Sequence, residues 1–486
     1  VDRTRHLMLA FALMAGGSLQ AATFAPDATG DSVDALPGDG LCADADGHCS
    51  LRAALQEANA LAGADTIMLG ASVYALTRAG SNEDASASGD LDVDDDLVLQ
   101  GAGAGATIID AGALDRVLDV RPAAATRHVR IEGLTLRNGA LALGSQPPLD
   151  RQGAGLRIGA GVDVELAHVD VRDNQLTTFA GAAGIDNTGC LVGHHVRVIG
   201  NTDPAPIGGG SAWAGGIATD GAESCLVLED SEISDNRADI AGALLLHGGA
   251  SATLRRTLVA DNAARVAGAM HLGQGGVVRL ENVTVSGNAG NPGAILNDDG
   301  TRLVVVDSTI TGNHASGSIT NVGGIQDVHG GFGRTELTNT ILAGNGPGFI
   351  ADDCVAARSV GGGNIIGNSA HCQFDAQADD RLDVDAGLGA LADNGGFTRT
   401  HLPGANAIDR GAAVCSASDQ RGVARPQDGD GDGISACDAG AVEVGDLDAI
   451  FTNGFDGAAS LRAPRMSSTL SAAPVGAAEQ ARPQGT

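Results

Sequence analysis

Seven times between residues 171 and 345 the chain writes an aliphatic residue, two spacers and an asparagine. The copies are Val171–Asn174, Val198–Asn201, Ile233–Asn236, Val259–Asn262, Val285–Asn288, Ile310–Asn313 and Leu342–Asn345. A looser copy ends at Asn138, and successive asparagines lie 25 to 35 residues apart. A repeat of this length, built from glycines and short apolar alternations, specifies a solenoid. Function in such a chain is sought along faces rather than in one deep pocket.

Upstream of each asparagine stands a small residue followed by an aliphatic one, as in Gly184-Ile185, Ala243-Leu244 and Ala294-Ile295. Between the two parts runs a period-two stretch such as Val278-Arg279-Leu280. Helical periodicity is absent here, so one repeat reads as three short strands divided by turns. Stacked at strand spacing, such repeats make a parallel β-helix, predicted over residues 93–375. Counting back from each asparagine, positions −3, −8 and −10 are mostly aliphatic and are expected to face inward. Positions −9 and −11 carry Arg279, Arg302, Arg334, Glu165 and Asp163 and are expected to face outward. The asparagines fall at a turn, where stacked amides can bond rung to rung and Asn tolerates a left-handed backbone. Their predicted role is structural.

Composition narrows the partners. Acidic residues outnumber basic ones 60 to 29, for a net charge of −31, which argues against nucleic acid. Every basic residue other than histidine is arginine, so no lysine base or Schiff-base lysine exists. Aromatic residues make up only 2%, with Trp213 and Tyr74 the single Trp and Tyr, which is sparse for a sugar-stacking cleft. Residues 1–22 read as a secretory signal: Arg3, Arg5 and His6, an apolar run Leu7–Ala15, then Leu19-Gln20-Ala21 at the cleavage site. No later stretch is long and apolar enough to span a membrane. The chain is therefore expected to be secreted or held at the outer cell surface, as a monomer, with a glycan or a surface protein as partner.

The eight cysteines suit an oxidising compartment. Nearest-neighbour pairing gives Cys42–Cys49, Cys190–Cys225, Cys354–Cys372 and Cys415–Cys437. For the second pair the repeat supplies a reason. Cys190 and Cys225 each stand 11 residues before their asparagine, so they occupy one outward site on adjacent rungs, within disulfide reach.

The ends carry family signals. Cys49-Ser50-Leu51-Arg52-Ala53-Ala54, continuing to Asn59, reads as a short helix with Ser50 as N-cap. It resembles the CSLREA motif that opens exported bacterial β-helix proteins, with Ala53 where that family has Glu. Near the other end come Asn394-Gly395-Gly396-Phe397-Thr398, Leu402-Pro403-Gly404, Asp419-Gln420-Arg421-Gly422, Arg425-Pro426, Cys437-Asp438 and Gly440-Ala441-Val442-Glu443. This stretch resembles the choice-of-anchor Q domain, here 376–445. The repeats are similar to those of polymorphic outer membrane proteins, with an aliphatic residue in place of Phe. These resemblances imply a right-handed β-helix, a cap region over 23–92 and an adhesin-like or structural surface protein. Residues 446–486, rich in Ala, Pro and Ser, read as a disordered tail.

For chemistry, the strand after the small residue is expected to point Asp186, Thr188, Asp220, His247, His271 and Asp298 outward, with Asp220 and His247 in one register. As an enzyme the chain would be a polysaccharide lyase or glycoside hydrolase of the pectate-lyase-like type, with these carboxylates as acids or metal ligands and Arg157 or His247 as base. No Gly-His-Gly motif supports that, and a solvated polar face is the simpler reading. Asp428, Asp430 and Asp432 resemble the first half of a calcium loop, but the twelfth position is Ala439. Calcium is the one cofactor this pattern admits; none is required. Asp352-Asp353 reads as a loop.

Overall fold

The computed structural model describes residues 21–445 except 82, 143–151, 178–180, 203–212, 299, 317–321, 329–333 and 347–352. Residues 1–20 and 446–486, which hold most of the signal and the tail, lie outside the described residues, as does Asp352. One coil shows the plan. Strands Met270–Leu272, Val277–Glu281 and Thr284–Ser286 pair in parallel with Ile295–Asn297, Arg302–Val306 and Thr309–Thr311 of the next coil. Repeated along the chain, this makes a parallel β-helix, and the face that starts each coil is a ten-stranded sheet. Pairing begins earlier than residue 93, since Thr23–Phe24 joins Thr66–Ile67 and Asp65–Met68 joins Leu97–Gln100. It ends later than 375, at Arg381–Leu382.

Facing follows the alternation. Val278, Leu280 and Val285 are fully buried in one continuous core that runs the length of the coil. The asparagines form an unbroken ladder. In each step the backbone N–H and the Nδ2 amide of one Asn both donate to the Oδ1 of the next, at 2.8–3.2 Å from Asn174 to Asn345. A carbonyl needs donors and an amide needs acceptors, so each buried Asn satisfies its neighbours.

Three details differ from expectation. The left-handed residue is not the Asn but the one before it: Asp173, Gly200, Asp235, Asp261, Gly287, Gly312 and Gly344. The Asn spends its side chain on the ladder, and its Asp or Gly neighbour takes the positive φ. Asn138 is such a neighbour, not a rung: Arg137 aligns with Arg172, and Gly139 donates its N–H to Asn174 Oδ1 at 2.8 Å. At the other end Asp353 is no idle loop residue. Its Oδ1 accepts both donors of Asn345, at 3.0 and 2.9 Å. A carboxylate suits the terminus, since it accepts without needing a further acceptor.

All eight cysteines are paired as the spacing predicts. Cys190 and Cys225 align on adjacent strands with Cα atoms 4.5 Å apart. The N-terminal coil is covered by the helix Leu51–Ala60, in which Ser50 Oγ accepts the Ala53 N–H at 3.0 Å. Arg52 is fully buried, pairing with Asp31 and donating to the carbonyls of Ser86, Gly89 and Asp90. It pins the cap to the loop beneath it.

The C-terminal segment from residue 384 onward does not close the end of the coil. It folds back over the flank formed by the third strand of each repeat. Phe397 meets His195 and Arg197, Arg399 reaches Glu232 and Asp261, His401 bonds Ser286, Gln420 bonds Thr284, and Ala441 bonds Thr309. Ala386, Ala407 and Ala439 pack on Ile341 and Ile365. Consecutive coils are thus joined from outside. At the coil's own end, Cys372 and Phe374 pack against the core.

Candidate functional site

The outward face of the ten-stranded sheet carries the molecule's main concentration of buried charge. One outward column runs, coil by coil, Asp92, Asp119, Arg157, Asp186, Ala218, Leu245 and His271. Its first part is sealed. Asp90, Asp92, Asp119, Arg116 and Arg157 are all buried, covered by the loop at Ser86–Asp90 and by Gln152. Arg116 bridges Asp90 and Asp119 at 2.8 and 3.0 Å. Arg157 grips Asp119 with two parallel bonds of 2.7 and 2.6 Å. A guanidinium held this way keeps its proton, so Arg157 does not serve as the base considered above.

Burial governs the protonation of this cluster. It pushes Asp90 up to about 7 despite the opposing charge of Arg116. It pushes Asp92 up to about 8, with the Asp90 carboxylate adding to the rise. Asp186 is also raised to about 7 by burial, against the pull of Arg157 and Arg116. Asp186 was expected to point outward into solvent. It does leave the core side, but it is 4% exposed, lying beside Gly181 and beneath Gln152.

Further along, the face opens into a small cleft lined by Asp186, Thr188, Trp213, Asp220, Leu245 and His247. Asp220 and His247 are directly aligned on adjacent strands, as predicted, with Oδ1 and Nδ1 3.8 Å apart. The Trp213 ring centroid lies 6.2 Å from that of His247, and Trp213 packs against the apolar cluster of Ala182, Ala214, Ala218, Ala241 and Leu245. Thr188 gives its hydroxyl proton to the Ile158 carbonyl at 3.0 Å, so it is occupied. His271 and Asp298 meet at 3.1 Å, one pair further on. The arrangement offers an aromatic plate, an imidazole beside a carboxylate, and a second carboxyl protonated near neutrality.

Sequence reasoning passed over Asp90, Asp92, Asp119 and Arg116. A signal was present: Leu91-Asp92-Val93 and Leu118-Asp119-Val120 repeat the same order and stack in register. The larger sheet carries a groove that the reading of Asp163 and Glu165 as outward did not single out. It is shallow, with a volume of roughly 730 Å³, and lies among Val98, His128, Arg130, Asp163, Glu165 and Val192.

Among the described residues two carboxylate groups could converge on a cation. One is the sealed trio Asp90, Asp92 and Asp119; the other is Asp409, Asp428 and Asp430. The second groups Asp409, not Asp432, with the two loop aspartates. Asp432 Oδ1 instead accepts the Ile434 N–H at 2.8 Å. Millimolar calcium is expected to slow proteolysis of residues 420–440 by mass action while leaving the main melting transition unchanged. Unaltered cleavage in limited digests would reduce these aspartates to a solvated turn.

No family model matches the chain, and no curated protein matches it. Among solved structures it is similar to pectate lyase Pel9A, with 13% identity over 88% of this chain and 98% of that one, at a TM-score of 0.39. It is also similar to the PL6 family alginate lyase AlyGC, with 10% identity over 74% of this chain and 55% of that one, at a TM-score of 0.31. The fold assignment rests on the strand register above, and neither likeness bears on chemistry.

Proposed function

We propose that this chain is an exported β-helix protein that works outside the cell as an adhesin-like or structural surface, binding a glycan or a surface protein. The observation that carries the reading is how the accessible charges are spent. On the broad face of the coil they pair with one another: Arg130 with Glu132 on its own strand and with Glu165 on the next coil, Arg255 with Glu229 and Glu281 on the coils either side, and Arg302 and Arg358 across the buried Glu336 between them. Such a face is continuous, shallow and periodic, which suits recognition of an extended partner. The four disulfides fit an oxidising compartment. Among the described residues no helix is long and apolar enough to cross a membrane. The CSLREA-like motif at Cys49–Ala54 and the choice-of-anchor Q-like segment 376–445 support export by resemblance.

A second reading has its own observation. Asp186, raised to about 7, stands in the same cleft as Trp213, Asp220 and His247. A protonated carboxyl near an aromatic plate is what a polysaccharide lyase or hydrolase would need for acid–base work. Purified protein should therefore be offered acidic and neutral polysaccharides, with and without calcium. Retention without turnover is the expected result. Turnover that disappears in Asp220→Ala or His247→Ala would establish the enzymatic reading instead.

A further inference from the structure

The first coil places a carboxylate where later coils place hydrocarbon. Asp65 aligns with Leu97, and the same inward column continues through Val129, Val164 and Leu191. Asp65 is fully buried. Its Oδ1 accepts the Ala22 N–H at 2.6 Å, while its Oδ2 is buried with no hydrogen-bond partner. Among the described residues no arginine or histidine pairs with it. A carboxylate at the edge of a hydrocarbon core, served by one neutral amide, is poorly compensated. What it lacks is a positive charge with more than one donor at the position of the Ala22 nitrogen.

The chain can supply that group. Ala22 is the residue at which the coil takes hold: its carbonyl accepts the Thr66 N–H at 2.9 Å, and Thr23–Phe24 then pair with Thr66–Ile67. Ala21, just before it, is exposed. Leu19-Gln20-Ala21 places a small residue at the end of the apolar leader. We propose that the chain is cut between Ala21 and Ala22, and that the new α-ammonium of Ala22 forms a buried ion pair with Asp65 that locks the first strand. Hydrolysis adds one water across the bond, leaving a carboxylate on Ala21 and a protonated amine on Ala22. That ammonium carries three donors in place of one and can serve both oxygens of Asp65. The cut falls one residue before the 1–22 boundary read from sequence. The inference rests on the reading that the chain is exported behind a removable leader.

The absence of lysine makes the test clean, because the α-amine of the processed chain is its sole aliphatic amine and an acylating reagent reports on it alone. The full chain is exported from a bacterial host, its first residue is determined by terminal sequencing, and acylation is timed in buffer and in urea. Ala22 is expected as the first residue. An amine pKa raised by two units would slow acylation of the folded protein about 100-fold relative to the unfolded chain. Asp65→Asn should abolish most of that protection. If the protein is not exported at all, the export reading fails and this inference with it; if it is exported with the leader retained, only this inference fails. Export with a different first residue overturns both the cut and the pair while leaving the export reading standing, and Ala22 as first residue but acylated equally fast in buffer and in urea overturns the pair alone. Should Asp65→Asn not fold, the folded-to-unfolded comparison on the unaltered protein still decides.

Discussion

Replacing Asn262 by leucine is expected to cost about 4 kcal/mol of stability, one of the largest effects of any single change in the coil. The side chains are close in size, so the loss is one of hydrogen bonds. Asn262 Oδ1 takes the N–H and Nδ2 protons of Asn236, both at 3.0 Å. Its Nδ2 gives protons to the carbonyls of Ile233 and Ala260, both at 2.9 Å. Leucine takes these bonds, and the Nδ2 bond to Asn288 Oδ1 at 2.9 Å, from two donors and three acceptors where water does not reach, since Asn262 is fully buried. Urea denaturation followed by circular dichroism would measure the shift. Hydrogen exchange should place the greatest loss of protection in coils 233–288. A midpoint unchanged within error would show that the ladder is a passive consequence of stacking.

Raising the pH from 6.5 to 8.5 is expected to destabilise the protein by about 4 kcal/mol. Burial raises Asp90, Asp186 and Asp438 to about 7 and Asp92 to about 8. In the unfolded chain these groups ionise near 4, so across this window the folded state holds protons that the unfolded state has lost. Stability then falls with rising pH, and the contribution is complete only below the unfolded value. His195 and His401, both lowered by burial, act in the opposite sense but only at more acid pH. Asp92→Asn should flatten the slope and stabilise the protein at pH 8.5. A melting temperature that is constant or rises between pH 6.5 and 8.5 would mean that the cluster is ionised in the fold.

What the sequence disclosed was whatever the repeat period controls. Register alone placed Cys190 beside Cys225, Asp220 beside His247, and the seven asparagines in one file. The Asp90–Asp119 cluster escaped because an outward position is ordinarily solvated, and only a covering loop, distant in sequence, makes it buried. The left-handed residues were misplaced by one position because Asn, Asp and Gly all tolerate positive φ, and only the ladder shows which of two neighbours must stay extended. The flank segment was missed as a lateral partner because its contacts join residues 136 positions apart, as at Thr284 and Gln420. A trace of it was nevertheless written in the repeats. Outward positions in the third strand are charged at Arg197 and Glu232, where Phe397 and Arg399 meet them half-buried, and become Leu258, Ala260, Thr284, Ser286, Thr309 and Thr311 where they are fully covered.

That lateral segment changes how the molecule would carry tension. A bare stack of coils peels from its end, each coil yielding separately because it touches only its neighbours. Here a pull applied beyond residue 445 meets the flank first. Ala439, Gly440 and Ala441 are held by Ile341, Asn339 and Thr309, and the loop closed by Cys415–Cys437 anchors to Asp307 and Asn282. Force would enter several coils at once and load their bonds in shear, so the C-terminal half would resist as one mechanical block and then fail abruptly.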